Sequence, residues 1–91
     1  AYSVSHAGRR LVYTGDTAAD AGLGAWAAGC DLLLAECSLP AELAVPTHLT
    51  PEQLGDLAAA ANPGVLVVTH LYPPVERVDV RAIVAMRWRG E

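Results

Sequence analysis

Four side chains in this sequence have the chemistry to bind a metal ion or move a proton: Asp16, Glu36, His48 and His70. Asp16, Glu36 and His70 each stand just past an apolar run, and His48 lies in a loop between Pro46 and Pro51. A carboxylate has two oxygens and can bridge two cations. A neutral imidazole is a common metal ligand, and its titration near neutrality also suits it to general acid or base work. Each residue alone has a plain structural role open to it. Asp16 after Gly15 fits a turn, Glu36 a backbone cap, His48 a solvated loop and His70 a hydrogen-bonded rim. The functional reading rests on the four together. His6, in an alternating stretch, is expected to face solvent.

These residues need elements that bring them to one place. Tyr2–His6 alternates apolar and polar residues, Ala7-Gly8-Arg9-Arg10 reads as a turn, and residues 11–14 return as the second strand of a hairpin. Residues 18–29, rich in alanine with Leu23 and Trp26 at helical spacing but broken by Gly22 and Gly24, read as a loop leading into a short helix. The continuous apolar runs 31–37 and 65–69 suit strands covered on both faces, as in parallel sheets between helices. Residues 38–49 read as loop, with Pro40 and Pro46 as breakers. Thr50-Pro51-Glu52-Gln53 combines an N-cap threonine, proline at the first helical position and glutamine three residues after the cap. Leu54, Leu57, Ala58 and Ala61 then supply one apolar helix face, which Asn62-Pro63-Gly64 stops. Residues 76–86 read as a final helix, and residues 87–91 as the approach to a further strand. If the strands are parallel neighbours, Asp16, Glu36 and His70 meet on the rim at their carboxyl ends, where open α/β sheets bind ligands.

Composition narrows the partners. A chain of 91 residues makes one small domain at most, and a hydrophobic fraction of 53% is high for that length. It points to a piece that packs against a further surface. No apolar run reaches the ~20 residues of a membrane span, and the start lacks signal-peptide character. The net charge is −4, and all six basic residues are arginine with no basic stripe, so this segment has no footprint for a nucleic-acid backbone. Cys30 and Cys37, in and beside a buried apolar run, are expected to be free core thiols, which agrees with a cytoplasmic location.

Four segments recur in a familiar order: Tyr13-Thr14-Gly15-Asp16-Thr17, Asp31-Leu32-Leu33-Leu34-Ala35-Glu36-Cys37-Ser38, Thr47-His48-Leu49-Thr50-Pro51-Glu52-Gln53 and Val67-Val68-Thr69-His70. Together they resemble the C-terminal half of a metallo-β-lactamase-fold hydrolase, in the branch that includes ribonuclease Z and related phosphodiesterases. The resemblance implies an α/β fold, one half of a four-layer αββα sandwich, with residues 1–91 forming a single partial domain. It also implies a dinuclear site holding two divalent metal ions, zinc first, with manganese or iron as alternatives. Asp16 would bridge the metals and His70 would complete the second. His48 would act as catalytic acid or phosphate contact, and Glu36 would support it from behind. The His-x-His-x-Asp-His loop of the superfamily is missing, so this chain cannot hold two metals by itself. A longer chain, or a second chain as in a homodimer, would supply the rest.

The implied activity is cleavage of a phosphodiester by metal-activated water. A small phosphodiester or other ester is the expected substrate. The alternative is tRNA 3′ processing of the ribonuclease Z type, with RNA contacts only through the missing half. Leu71-Tyr72-Pro73-Pro74 after His70 carries no arginine to meet a phosphate, which counts against tRNA. The competing class is a non-catalytic truncated module that only packs against a partner.

Overall fold

Residues 7 and 8 turn the chain back with positive φ at both positions, 51° at Ala7 and 77° at Gly8. Two left-handed residues in succession make the tight turn whose twist matches that of flanking strands. It joins β1 (Tyr2–His6) to the antiparallel β2 (Arg9–Tyr13). The computed structural model describes residues 1–91, the side chain of Ala21 excepted. Beyond the hairpin come α1 (Ala21–Trp26), β3 (Leu32–Glu36), α2 (Pro51–Ala61), β4 (Val65–Thr69) and α3 (Val80–Ala85). The four strands form one sheet in the order β1-β2-β3-β4, with β2, β3 and β4 parallel. The crossovers between these parallel neighbours bring α1 and α2 together on one face of the sheet.

Helix α2 forms as its sequence dictates. The Thr50 hydroxyl accepts from the Gln53 amide at 3.2 Å, while the Gln53 side chain accepts from the Thr50 amide at 3.0 Å. Asn62, left-handed at φ 44°, ends it. Gly24 lets α1 approach α2 closely, because a Cβ there would lie 2.6 Å from the Ala60 methyl. Its place in a short helix is thus a packing requirement and not a break. Arg10 fastens the hairpin to α1: its guanidinium donates to the Ser3 hydroxyl and the Trp26 carbonyl and lies over the Trp26 ring.

Two expectations change. The helix expected over residues 76–86 is divided, with a 3-10 turn at Pro73–Arg77 and α3 starting only after Asp79. The Asp79 carboxylate accepts from the Ala82 amide and caps the helix there, so the chain bends at the cap. The strands are also not covered on both faces. Val12, Leu33 and Ala35 face the helices and are fully buried, and Leu66 and Val68 pack beside them. The opposite parity, with Val4, Leu11, Leu32 and Val65 in one row and Tyr2, Tyr13, Leu34 and Val67 in the next, forms an apolar face. Tyr2 is 68% exposed on it and Val67 40%. Among the described residues one sheet and one helical layer are present, and the apolar runs record a face that nothing here covers.

Both cysteines are buried free thiols. Burial pushes the Cys37 thiol up from its ordinary value of 9.0 to about 12, with repulsion from Glu36 and Glu52 adding to it. Burial raises Cys30 as well, against the pull of Arg10. The linkage has a definite sign. Between pH 9 and 12 the unfolded chain has released a proton that the folded chain still holds, so stability falls as pH rises. Below pH 9 the contribution is fully present. Urea midpoints measured from pH 8 to 10.5 should therefore drop more steeply for the native sequence than for Cys37→Ala. Parallel slopes would remove the thiol from the account.

Candidate active site

The parallel strands deliver their polar residues to one end of the sheet. After β2, Gly15 at φ 60° turns the chain and Asp16 follows, 64% exposed at its side chain. β4 delivers His70, itself left-handed at φ 55°. A non-glycine residue in this region is uncommon, and such strain gathers at functional sites. β3 ends at Glu36. Its parity is that of the open face, yet it is fully buried, because the loops after β2 and β3 fold over it. Two residues before Thr50, the cap of α2, the chain brings in His48.

Glu36 is the centre of this arrangement. Its Oε1 accepts from the Thr17 amide, the Leu49 amide and His48 Nδ1, each at 3.1 Å. Its Oε2 accepts from the Ser38 hydroxyl at 2.6 Å. Four donors on two oxygens make it a pure acceptor, which a carboxylate is. Burying such a group without partners would be costly; here the donors satisfy it completely. Thr14, also buried, accepts from the Glu36 amide and anchors the end of β3 to β2.

In front of this carboxylate, Asp16, His48 and His70 each offer a ligand atom, and these atoms all lie within 4.8 Å of one another. The rings of His48 and His70 are 5.6 Å apart, and Tyr72 packs against both, at 5.5 Å and 4.9 Å between centroids. His70 Nδ1 lies 3.0 Å from the Ser38 hydroxyl and 3.5 Å from Asp16 Oδ1. Only the first is within hydrogen-bond length. The donor set fits a divalent metal: one carboxylate and two imidazoles, each ring held at Nδ1 by an acceptor behind it, as ligating histidines generally are.

All four residues expected from the sequence converge. His6 does not: it is exposed at the far end of the hairpin, paired with Arg9. Sequence reasoning missed Ser38 and Tyr72. Ser38 stands two residues beyond Glu36, and that period of two, which places both side chains on one side of an extended chain, was the available signal. Tyr72 had none, because its contacts depend on the turn at His70.

A mixed sheet flanked by helices, with a carboxylate–imidazole cluster at its carboxyl rim, is an α/β architecture whose cluster could hold a metal ion. The chain belongs to the beta-lactamase superfamily, whose domain model matches residues 1–71, a span that holds Asp16, Glu36, His48 and His70. The metallo-beta-lactamase fold protein YhfI from Bacillus subtilis is similar in structure, with a TM-score of 0.88 at 24% identity over 98% of this chain. The chain spans 38% of that protein's length. No curated protein matches it. Members of this superfamily are in general metal-dependent hydrolases, and no helix among the described residues is long and apolar enough to cross a membrane.

Proposed function

We propose that this chain carries part of the metal centre of a phosphodiester hydrolase in the branch that includes ribonuclease Z and related phosphodiesterases. The observation that carries the reading is the cluster of Asp16, His48 and His70 in front of the saturated Glu36 carboxylate. In the dinuclear form, Asp16 and His70 would hold the metals, with the remaining ligands supplied from outside these 91 residues. Two divalent cations, when bound, supply a lowered water pKa and a clamp on the reacting oxygens. Zinc suits a carboxylate and imidazole set.

The chain's own residues do the rest. With Nδ1 donating to Glu36, His48 keeps Nε2 for the substrate. A proton taken up there makes an imidazolium whose charge lies against the carboxylate, 3.1 Å behind it. That arrangement suits protonation of a leaving oxygen. Tyr72 and the two imidazoles form a rim of rings, with no arginine between residues 71 and 76 to seat a large polyanion. A small phosphodiester fits this rim better than a tRNA precursor.

One observation favours a second reading. His48 belongs to the three-residue cluster as fully as the other two, and three protein ligands complete a single catalytic zinc site. Elemental analysis separates the two. As a catalytic acid, His48→Ala should slow hydrolysis of bis(p-nitrophenyl) phosphate by ~10²–10⁴-fold with metal content unchanged. Loss of one metal per chain in that variant would make His48 a ligand. A complete enzyme, with the remaining ligands supplied, that binds no metal and cleaves no diester or ester would end both readings.

A further inference from the structure

Ser38 is fully buried and touches every part of the site behind the ligand cluster. Its hydroxyl oxygen lies 2.6 Å from Glu36 Oε2, 3.0 Å from His70 Nδ1, 3.1 Å from the His70 carbonyl and 3.3 Å from His48 Nδ1. A hydroxyl has one hydrogen and two lone pairs. The shortest contact, to an ionised acceptor, takes that hydrogen, since charge-assisted O–H···O⁻ bonds are the short, strong ones. With its hydrogen committed to Glu36, Ser38 can only accept from the nearby ring nitrogen. His70 Nδ1 must then carry a proton and donate it.

We propose that Ser38 is a positioning residue that relays the acceptor character of Glu36 to His70 and fixes it as the Nδ1–H tautomer, leaving Nε2 as the lone-pair nitrogen. His48 reaches the same tautomer directly, through its own 3.1 Å contact with Glu36 Oε1. One carboxylate thus sets both imidazoles, one by contact and one through a hydroxyl. The arrangement also explains the left-handed turn at His70. Ser38 accepts from the ring of His70 and offers its own carbonyl to the Tyr72 amide at 3.2 Å. These contacts hold the backbone at φ 55°. The consequence for metal binding rests on the reading of His70 as a ligand; the tautomer does not.

The test is ¹⁵N–¹H correlation of the histidine rings in the metal-free protein at a pH where the imidazoles are neutral. His48 and His70 should both show a protonated Nδ1 and an unprotonated Nε2, while His6 shows the solution mixture, dominated by Nε2–H. In Ser38→Ala, His70 should move to the mixture while His48 stays. Ser38→Thr, which restores the hydroxyl, should return His70 to Nδ1–H. Zinc affinity, measured by competition with a chelator, should fall ~10–100-fold in Ser38→Ala, the usual cost of losing a partner behind a ligating histidine, and recover in Ser38→Thr. A native His70 with protonated Nε2, or one whose tautomer ignores Ser38→Ala, overturns the proposal. Should Ser38→Ala not fold, the native spectrum and Ser38→Thr still decide it. A correct tautomer in a protein that binds no zinc would uphold the relay and sink the metal-centre reading instead.

Discussion

Asp16→Ala should abolish hydrolysis by the complete enzyme, a larger loss than the ~10²–10⁴-fold expected for a missing general acid. In the dinuclear reading Asp16 would help to hold both cations, so its removal would cost more than a single contact. In the single-metal reading it is one ligand of three. Either way metal content should drop with activity. The fold should survive, because the Asp16 side chain is 64% exposed and, among the described residues, its close partner is His70 at 3.5 Å. The checks are kcat, metal per chain and the urea midpoint, all on the same preparation. Full metal content with retained turnover would remove Asp16 from the site. A collapsed midpoint would show that the residue holds structure instead.

Glu36→Ala should have the opposite profile, with the largest effect on stability. It strands the Leu49 and Thr17 amides and His48 Nδ1, while the Ser38 hydroxyl keeps the His70 carbonyl as an acceptor at 3.1 Å. Each buried donor left without an acceptor costs ~1–3 kcal/mol. The sum is tempered because Thr17 and His48 are partly exposed and water can reach them. A net loss of about 3–5 kcal/mol is expected, the range for removing one partner from a buried charged network. Glu36→Gln should lose less, since it keeps the volume and one acceptor oxygen while its amide meets donors. Equilibrium urea unfolding measures both. A loss under ~1 kcal/mol for the alanine variant would mean that the loops hold themselves in place without the carboxylate.

How far these features could be read from the sequence depended on the range of the interactions behind them. The Thr50–Gln53 capping box and the Asn62 stop act within four residues, and α2 begins and ends where local chemistry puts it. The hairpin was legible for the same reason, though it places Arg9 and Arg10 in β2 instead of in the turn. Asp79 had the same cap chemistry as Thr50, but the apolar spacing across residues 76–86 masked it. Convergence was legible only through the shared place of Asp16, Glu36 and His70 after apolar runs, and through the resemblance in the order of motifs that adds His48. The contacts that join them, from Glu36 to Leu49 thirteen residues on and from Ser38 to His70 thirty-two on, leave no periodic trace. Burial was misjudged in a consistent way. Apolar residues on both parities of β3 and β4 describe what the strands could bury, and only the helix-facing parity does so here.

The saturated carboxylate has a bearing on which parts of this surface can diversify. The loop after β2 and both ends of the loop after β3 close on two oxygen atoms, and the turn at His70 joins them through Ser38, so a shift in one opens the others. Insertions or new sequence at residues 14–17, 36–38, 48–50 or 70–72 would be selected against together. The stretch 41–47 is different. It is exposed throughout, its 3-10 turn at Ala41–Leu43 buries nothing, and it makes no bond to Glu36. It also begins and ends beside the site, at Pro40 and His48. Descendants of this fold can therefore lengthen or recolour that one segment, and with it the choice of substrate, while the chemistry beneath stays still.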